Sequence, residues 1–158
     1  MRVVSAMNLV EGLERTRLET LQGFDLADPE LALRYAPGKW TVREILHHLS
    51  DAETVLFDRI RRVISEPRQV IWAFDQAAWA TKLGYSDRPL ELSAELFPAT
   101  RNGVIYYAQL HYASSGDLEF VHSETGVRTL RDELEKVAHH NRHHLDQIRA
   151  ALATSGRS

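Results

Sequence analysis

At 158 residues, with 44% apolar and 26% charged side chains, the chain has the size and balance of one globular domain, which excludes the disordered class. Its net charge of -3 argues against a nucleic-acid partner, since such affinity comes mainly from basic surface. The absence of cysteine removes disulfides, thiolate nucleophiles and thiolate-bound zinc together, and fits a reducing cytoplasm. The opening MRVVSAMNLVEGLER meets acidic residues before a signal-length apolar run develops. No stretch approaches the roughly 18 apolar residues of a membrane span, so no membrane association is expected.

Apolar spacing predicts a first helix over about 5–23, with Met7, Val10, Leu13, Leu18 and Leu21 inward. A loop follows through Asp28-Pro29 to Pro37-Gly38-Lys39-Trp40. Thr41-Val42-Arg43-Glu44 has the form of a capping box and starts a second helix that Pro67 stops near residue 65. Arg59, Arg61, Arg62 and Arg68 are the one basic run, and helical spacing spreads the first three around the axis, as on a solvated surface.

Residues 66–88 read as a long connection with one short helix capped by Asp75. A third helix is expected from Asp87-Pro89 to about Ala113, kinked or split at Pro98. Ser114-Ser115-Gly116-Asp117 and Gly126 mark turns, and Leu118–Val127 allows a small hairpin at most. Thr129 caps a final helix to about Ala153, followed by a frayed tail over 153–158. The fold class is therefore all-α: a four-helix bundle with long crossover connections, in one domain over 1–158.

Four of the eight histidines crowd into the last helix, and the 100° helical step separates them. Relative to the stripe Leu130, Leu134, Val137, Leu145, Ile148 and Leu152, His140 and His144 fall roughly 100° and 60° to one side. His139 and His143 point roughly 160° away, into solvent. In the second helix the stripe runs through Ile45, Leu49, Ala52 and Leu56. His48 lies at its edge, whereas His47 and Asp51 are expected to face outward. Two imidazoles at i and i+4 with a third from a facing helix make a three-histidine ligand set, the type used by open zinc sites.

The run Gly38-Lys39-Trp40-Thr41 through His47-His48-Leu49-Ser50-Asp51-Ala52-Glu53, with His140-Asn141-Arg142-His143-His144-Leu145-Asp146-Gln147-Ile148 late in the chain, resembles the DinB/YfiT-like superfamily. Phe74-Asp75-Gln76-Ala77-Ala78-Trp79 and His122-Ser123-Glu124-Thr125-Gly126 extend the likeness over essentially the whole chain. The resemblance implies a four-helix bundle and a metal-dependent enzyme, with His48, His140 and His144 as ligands. It also implies hydrolysis or S-transfer from a low-molecular-weight thiol such as bacillithiol or mycothiol, and a homodimer, for which Tyr106, Tyr107 and Tyr112 offer aromatic area. The alternative is a non-catalytic, stress-related bundle that binds metal or a small ligand. A plain structural bundle with incidental histidines is the third class.

One divalent ion per chain is expected, zinc or nickel, since imidazole suits both. Gln147, i+3 from His144, is the candidate to orient a ligand ring or a water. Glu53 and Asn141 project inward and read as a buried pair fixing helix register. Trp40, Trp72 and Trp79 read as packing residues, with Trp79 a weak candidate for a pocket mouth beside a small-molecule substrate. His122, in a presumed loop, is the other weak candidate.

Overall fold

The computed structural model describes residues 5–156. The first four residues and the last two of the tail lie outside them. Four long helices carry the architecture: α1 (Ala6–Gly23), α3 (Val42–Ser65), α5 (Leu90–His111) and α6 (Leu130–Ala153). Short helices α2 (Asp28–Leu31) and α4 (Gln76–Lys82) sit in the connections. The loop expected at Asp28-Pro29 is thus a helical turn, with Pro29 in its first turn, where a missing N–H costs nothing.

Local chemistry sets the helix starts. Thr41 Oγ1 accepts the Glu44 N–H at 3.1 Å and Glu44 Oε2 accepts the Thr41 N–H at 2.7 Å, so both orphan donors are satisfied reciprocally. Thr129 and Asp132 repeat the arrangement on α6, and Asp75 caps α4 through the Ala78 N–H at 2.9 Å. α5 runs unbroken through Pro98, so the expected split does not occur; one lost backbone bond is outweighed by packing against α1 and α3.

The long helices pack as a ring in the order α1, α5, α3, α6. Helices consecutive in sequence, α1 with α3 and α5 with α6, therefore stand diagonally, and each such pair needs a long connection. Gly103 permits the close approach of α5 to α3, because a Cβ there would lie 2.5 Å from the Phe57 ring. The hairpin forms as β2 (Glu119–His122) and β3 (Gly126–Thr129), antiparallel, and a third strand, β1 (Val70–Ile71), joins β2 in parallel. Two residues carry no readable pattern, and the long-range pairing makes the strand.

The core falls into two apolar clusters, one around Leu13, Ile60, Val104 and Leu134 and the other around Leu46, Leu49 and Leu145. Between them lies a polar layer centred on Arg101, which is fully buried. Its guanidinium forms a two-pronged pair with Glu53. It donates to the Asn141 Oδ1 at 2.6 Å and to the Leu13 carbonyl and Thr16 Oγ1 at 3.0 Å each. Asn141 in turn donates to Thr20 Oγ1 at 3.0 Å. Glu53 and Asn141 are inward as expected, but each bonds to Arg101 rather than to the other.

Two helical phases differ from expectation. In α1, Met7 and Leu18 are 67% and 56% exposed, while Leu9, Leu13, Thr16 and Thr20 are buried. The helix presents its threonines to Arg101, so its inward face is polar at mid-length. In α3, every residue from Ile45 to Glu53 is buried, including His47 and Asp51. The segment before α5 covers the side that a simple amphipathic helix would show to water. Arg88 pairs with both Asp51 oxygens at 2.9 and 3.1 Å, and Tyr85 donates to Asp51 at 2.7 Å. His47 Nδ1 lies 2.7 Å from Ser93 Oγ.

Three further positions depart from the sequence reading. Arg59 is buried, 3.8 Å from Glu133, whereas Arg61, Arg62 and Arg68 are exposed. Trp72 is 76% exposed and does not pack into the core. Tyr112 is buried and unavailable to a partner, while Tyr106 is 56% exposed.

Candidate metal centre

His48 on α3 and His140 and His144 on α6 meet at the height of the polar layer. Glu53 and Asn141, which Arg101 holds together, sit on the same two helices within one or two turns of these rings. The register of α3 against α6 is thereby tied to the site. Ring centroids are 4.9 Å apart for His48–His140 and 4.6 Å for each of the other two pairs. One ring nitrogen from each residue lies within 4.8 Å of the others. His48 Nε2 and His140 Nε2 are 2.9 Å apart, whereas two nitrogens at about 2.0–2.1 Å from one metal lie about 2.9 Å apart at a right angle and about 3.3 Å at a tetrahedral one, so a small outward shift at most would seat an ion.

The charged forms of these rings are suppressed. Burial pushes the pKa down to about 3 for His48, about 2 for His140 and about 4 for His144. The mutual proximity of the rings adds to the effect at His48 and His140. Neutral imidazoles are the form that binds metal. The donor set, its convergence and its protonation state all fit one divalent cation.

A shell of neighbours fixes the rings. His144 Nδ1 lies 2.7 Å from Gln147 Oε1, which makes Nδ1 the N–H donor and leaves Nε2 facing the cluster. Gln147 Nε2 donates in turn to Tyr35 Oη and His143 Nε2, both at 3.2 Å, so the amide cannot turn freely. His139 and His143 are exposed, as their helical phase predicts. Trp40 lies 4.8 Å from the His48 ring and stacks at 6.2 Å on His144. It is delivered by a turn in which Lys39 N–H donates to the Ala36 carbonyl at 3.2 Å, with Pro37 and a left-handed Gly38 (φ 72°) at the centre. His48 Nδ1 is buried without a hydrogen-bond partner beside that indole.

Cavities reach the cluster from two sides. One of about 240 Å³ is lined by Tyr35, Gly38, Lys39, Trp40, His144 and Gln147. The other, of about 200 Å³, has His140 in its wall together with Phe74, Arg59, His122 and Lys136. A larger cavity of about 520 Å³ along α1 and α6 is lined by charges of both signs, among them Arg15, Asp132 and Arg142, and contains none of the three histidines. Convergent ligands decide the site, not volume.

The family profile of the DinB superfamily matches residues 12–148. The chain belongs to the DinB superfamily. A proposed metal-dependent hydrolase of Oceanobacillus iheyensis is 32% identical over 144 residues, covering 90% of this chain and 81% of its own length. A second from the same organism is 27% identical over 133 residues, covering 84% and 76%. YfiT from Bacillus subtilis, described as a candidate metal-dependent hydrolase with an unusual four-helix-bundle topology, superposes with a TM-score of 0.84 at 22% identity. That match covers 100% of this chain and 93% of YfiT and establishes the DinB-like fold.

Within this DinB bundle the weaker sequence candidates separate. His122 belongs to the end of β2 rather than a loop, is 6% exposed, and lines the second cavity. Trp79 lines neither cavity and packs on Phe74 at 4.9 Å. Arg59 and Lys136, also in the second cavity's lining, carry no sequence signal of a site. Arg59 sits in a run that looks solvated, and only the packing of the β1 segment and α6 buries it. Among the described residues no helix is long and apolar enough to cross a membrane.

Proposed function

We propose that this chain is a metal-dependent enzyme in which the Nε2 atoms of His48 and His140 and a ring nitrogen of His144 hold one divalent cation, zinc or nickel, for hydrolysis of a small molecule. The observation that carries the reading is the convergence of three neutral imidazoles, His48 and His144 buried and His140 partly buried, within 4.8 Å. A cation held by neutral ligands keeps its full charge and lowers the pKa of a water or thiol bound to it. The chain supplies the rest. Gln147 holds the tautomer of His144, Tyr35 and His143 hold Gln147, and the Trp40 indole limits water around His48.

Removing the metal with a chelator should abolish turnover, and restoring it should recover the activity. Gln147→Ala should keep metal content near wild type while lowering turnover about tenfold or more, because a group that orients a ligand contributes less to affinity than the ligand itself. Turnover by chelated protein equal to that of the metal form would sink the reading.

Cavities on both sides of the cluster favour one second reading, in which a low-molecular-weight thiol occupies one and an electrophilic substrate the other. With no cysteine of its own, the protein would take its sulfur from that cosubstrate. Thiol consumption that requires both metal and electrophile would separate this reading from hydrolysis.

We also propose a homodimer through α5, on which Leu92, Leu96, Tyr106 and Leu110 are 57%, 40%, 56% and 52% exposed. These positions lie on one helical seam. Light scattering at high micromolar concentration should give twice the 18.0 kDa chain mass, and Leu96→Glu should return it to the monomer value.

A further inference from the structure

The cavity on the His140 side is lined by two unlike sets of side chains. One is apolar, made by Ala52, Leu56, Ala73 and Phe74. The other carries Arg59, Lys136 and His122, of which Arg59 and His122 are 4% and 6% exposed. These two are not a solvated face.

Arg59 is under-bonded. Its Nη2 donates to the Trp72 carbonyl at 2.8 Å, but its Nε is buried with no hydrogen-bond partner. Behind it Glu133, itself 1% exposed, stands 3.8 Å from Arg59 Nη1 and 3.4 Å from Lys136 Nζ. One carboxylate thus serves two cations, and neither contact is as short as the roughly 2.7–2.9 Å of a strong charge-assisted bond. Arg59 and Glu133 are the buried charges here and Lys136 is half-exposed, so the cavity stands out by donors without close partners rather than by net charge. The acid on the cavity's rim, Glu124, is exposed and screened by solvent.

His122 adds a donor. Its Nδ1 accepts the backbone N–H groups of Glu124 and Thr125 at 3.3 and 3.4 Å. In the neutral ring the proton then sits on Nε2. Three side chains lining this cavity therefore carry N–H groups for a partner that can only accept, beside the apolar ones.

We infer that this cavity binds the carboxylate end of a small organic acid, held by Arg59, Lys136 and His122, with a short apolar body against Leu56 and Phe74 and its reacting end at His140. The inference rests on the proposed function for where the reaction occurs, but recognition of the carboxylate itself does not require the metal.

The test uses three probes with a short alkyl body and different charge: n-butyrate, its isostere butyramide, and n-butylammonium. Binding is followed by amide chemical shifts, in zinc-loaded protein and after chelation. Butyrate should bind about tenfold or more tighter than butyramide in both forms, the worth of charge-assisted bonds in a partly buried site. Lys136→Gln, at a half-exposed position that should still fold, should reduce that preference several-fold, and Arg59→Gln should remove it. Equal binding of the three probes, no binding of butyrate, or an unchanged preference in Lys136→Gln would overturn the inference. A preference seen only with zinc would also overturn it, placing the carboxylate on the metal and leaving the metal reading intact. The same preference in protein that takes up no zinc would sustain the carboxylate site while the metal reading fails.

Discussion

Arg101→Met is expected to lower the free energy of unfolding by about 3–5 kcal/mol, because it leaves Glu53 charged and buried without its partner. The guanidinium is fully buried and reaches all four long helices, through Leu13 and Thr16, Glu53, its own helix and Asn141. Adding Glu53→Gln to Arg101→Met should recover part of the loss, since a neutral amide is cheaper to bury than a carboxylate. Urea unfolding of the three proteins measures this. A single-variant loss under about 1 kcal/mol would mean the polar layer does not bind the helices together. Because Glu53 and Asn141 flank the histidines on α3 and α6, the variant should also weaken metal uptake where it remains folded.

That layer shows where sequence reasoning reaches and where it stops. Glu53 and Asn141 were legible as inward polar residues, and an inward acid and amide on separate helices require a shared donor. The signal for that donor was present. Arg101 interrupts the otherwise apolar face Phe97, Val104 and Ala108 of α5, all fully buried. The inward position of Thr16 and Thr20 was not legible, because a stripe chosen by apolarity alone turns α1 toward Met7 and Leu18. Capping boxes at Thr41 and Thr129 depend on residues three apart, so they were readable without tertiary context.

The histidines divide on the same principle. In α6 one face meets the bundle and the other meets water, so angular position separated His140 and His144 from His139 and His143. α3 is covered twice, by the bundle and by the segment carrying Tyr85 and Arg88 some 40 positions later in the chain. The outward assignment of His47 and Asp51 failed there, although His48 was placed correctly at the cluster. The burial of Arg59 and His122 is likewise a product of the β1–β2 pairing, which local patterning does not encode.

In the absence of metal, the protein is expected to unfold in mild acid. Burial lowers the pKa of His47 to about 4, with the Arg88 charge adding to it, and the three cluster histidines fall to between about 2 and about 4, all against an ordinary 6.5. As the pH drops below 6.5, these rings take up protons in the unfolded chain but not in the folded one. Their contribution to stability is therefore complete above 6.5 and is lost as the pH falls toward the folded values. Each ring adds to that loss, the three of the cluster as one coupled set, and an ordinary domain has only about 5–15 kcal/mol to lose. Circular dichroism of chelated protein should show a midpoint between about pH 6 and pH 4. Zinc should move it lower, because ligated rings must release the ion before they protonate. A metal-free protein still folded at about pH 3 would contradict the assignment of neutral, buried rings.

The central claim is that His48, His140 and His144 hold the metal, and its most direct test is metal content after equilibration with zinc and desalting. Wild type should retain about one ion per chain. His48→Ala, His140→Ala and His144→Ala should each retain almost none. His47→Ala, one position away in sequence but bonded to Ser93 and Arg88 on the other side of α3, should retain the wild-type amount while losing stability. Equal metal loss in His47→Ala and His48→Ala, or full retention in His48→Ala, would contradict the account.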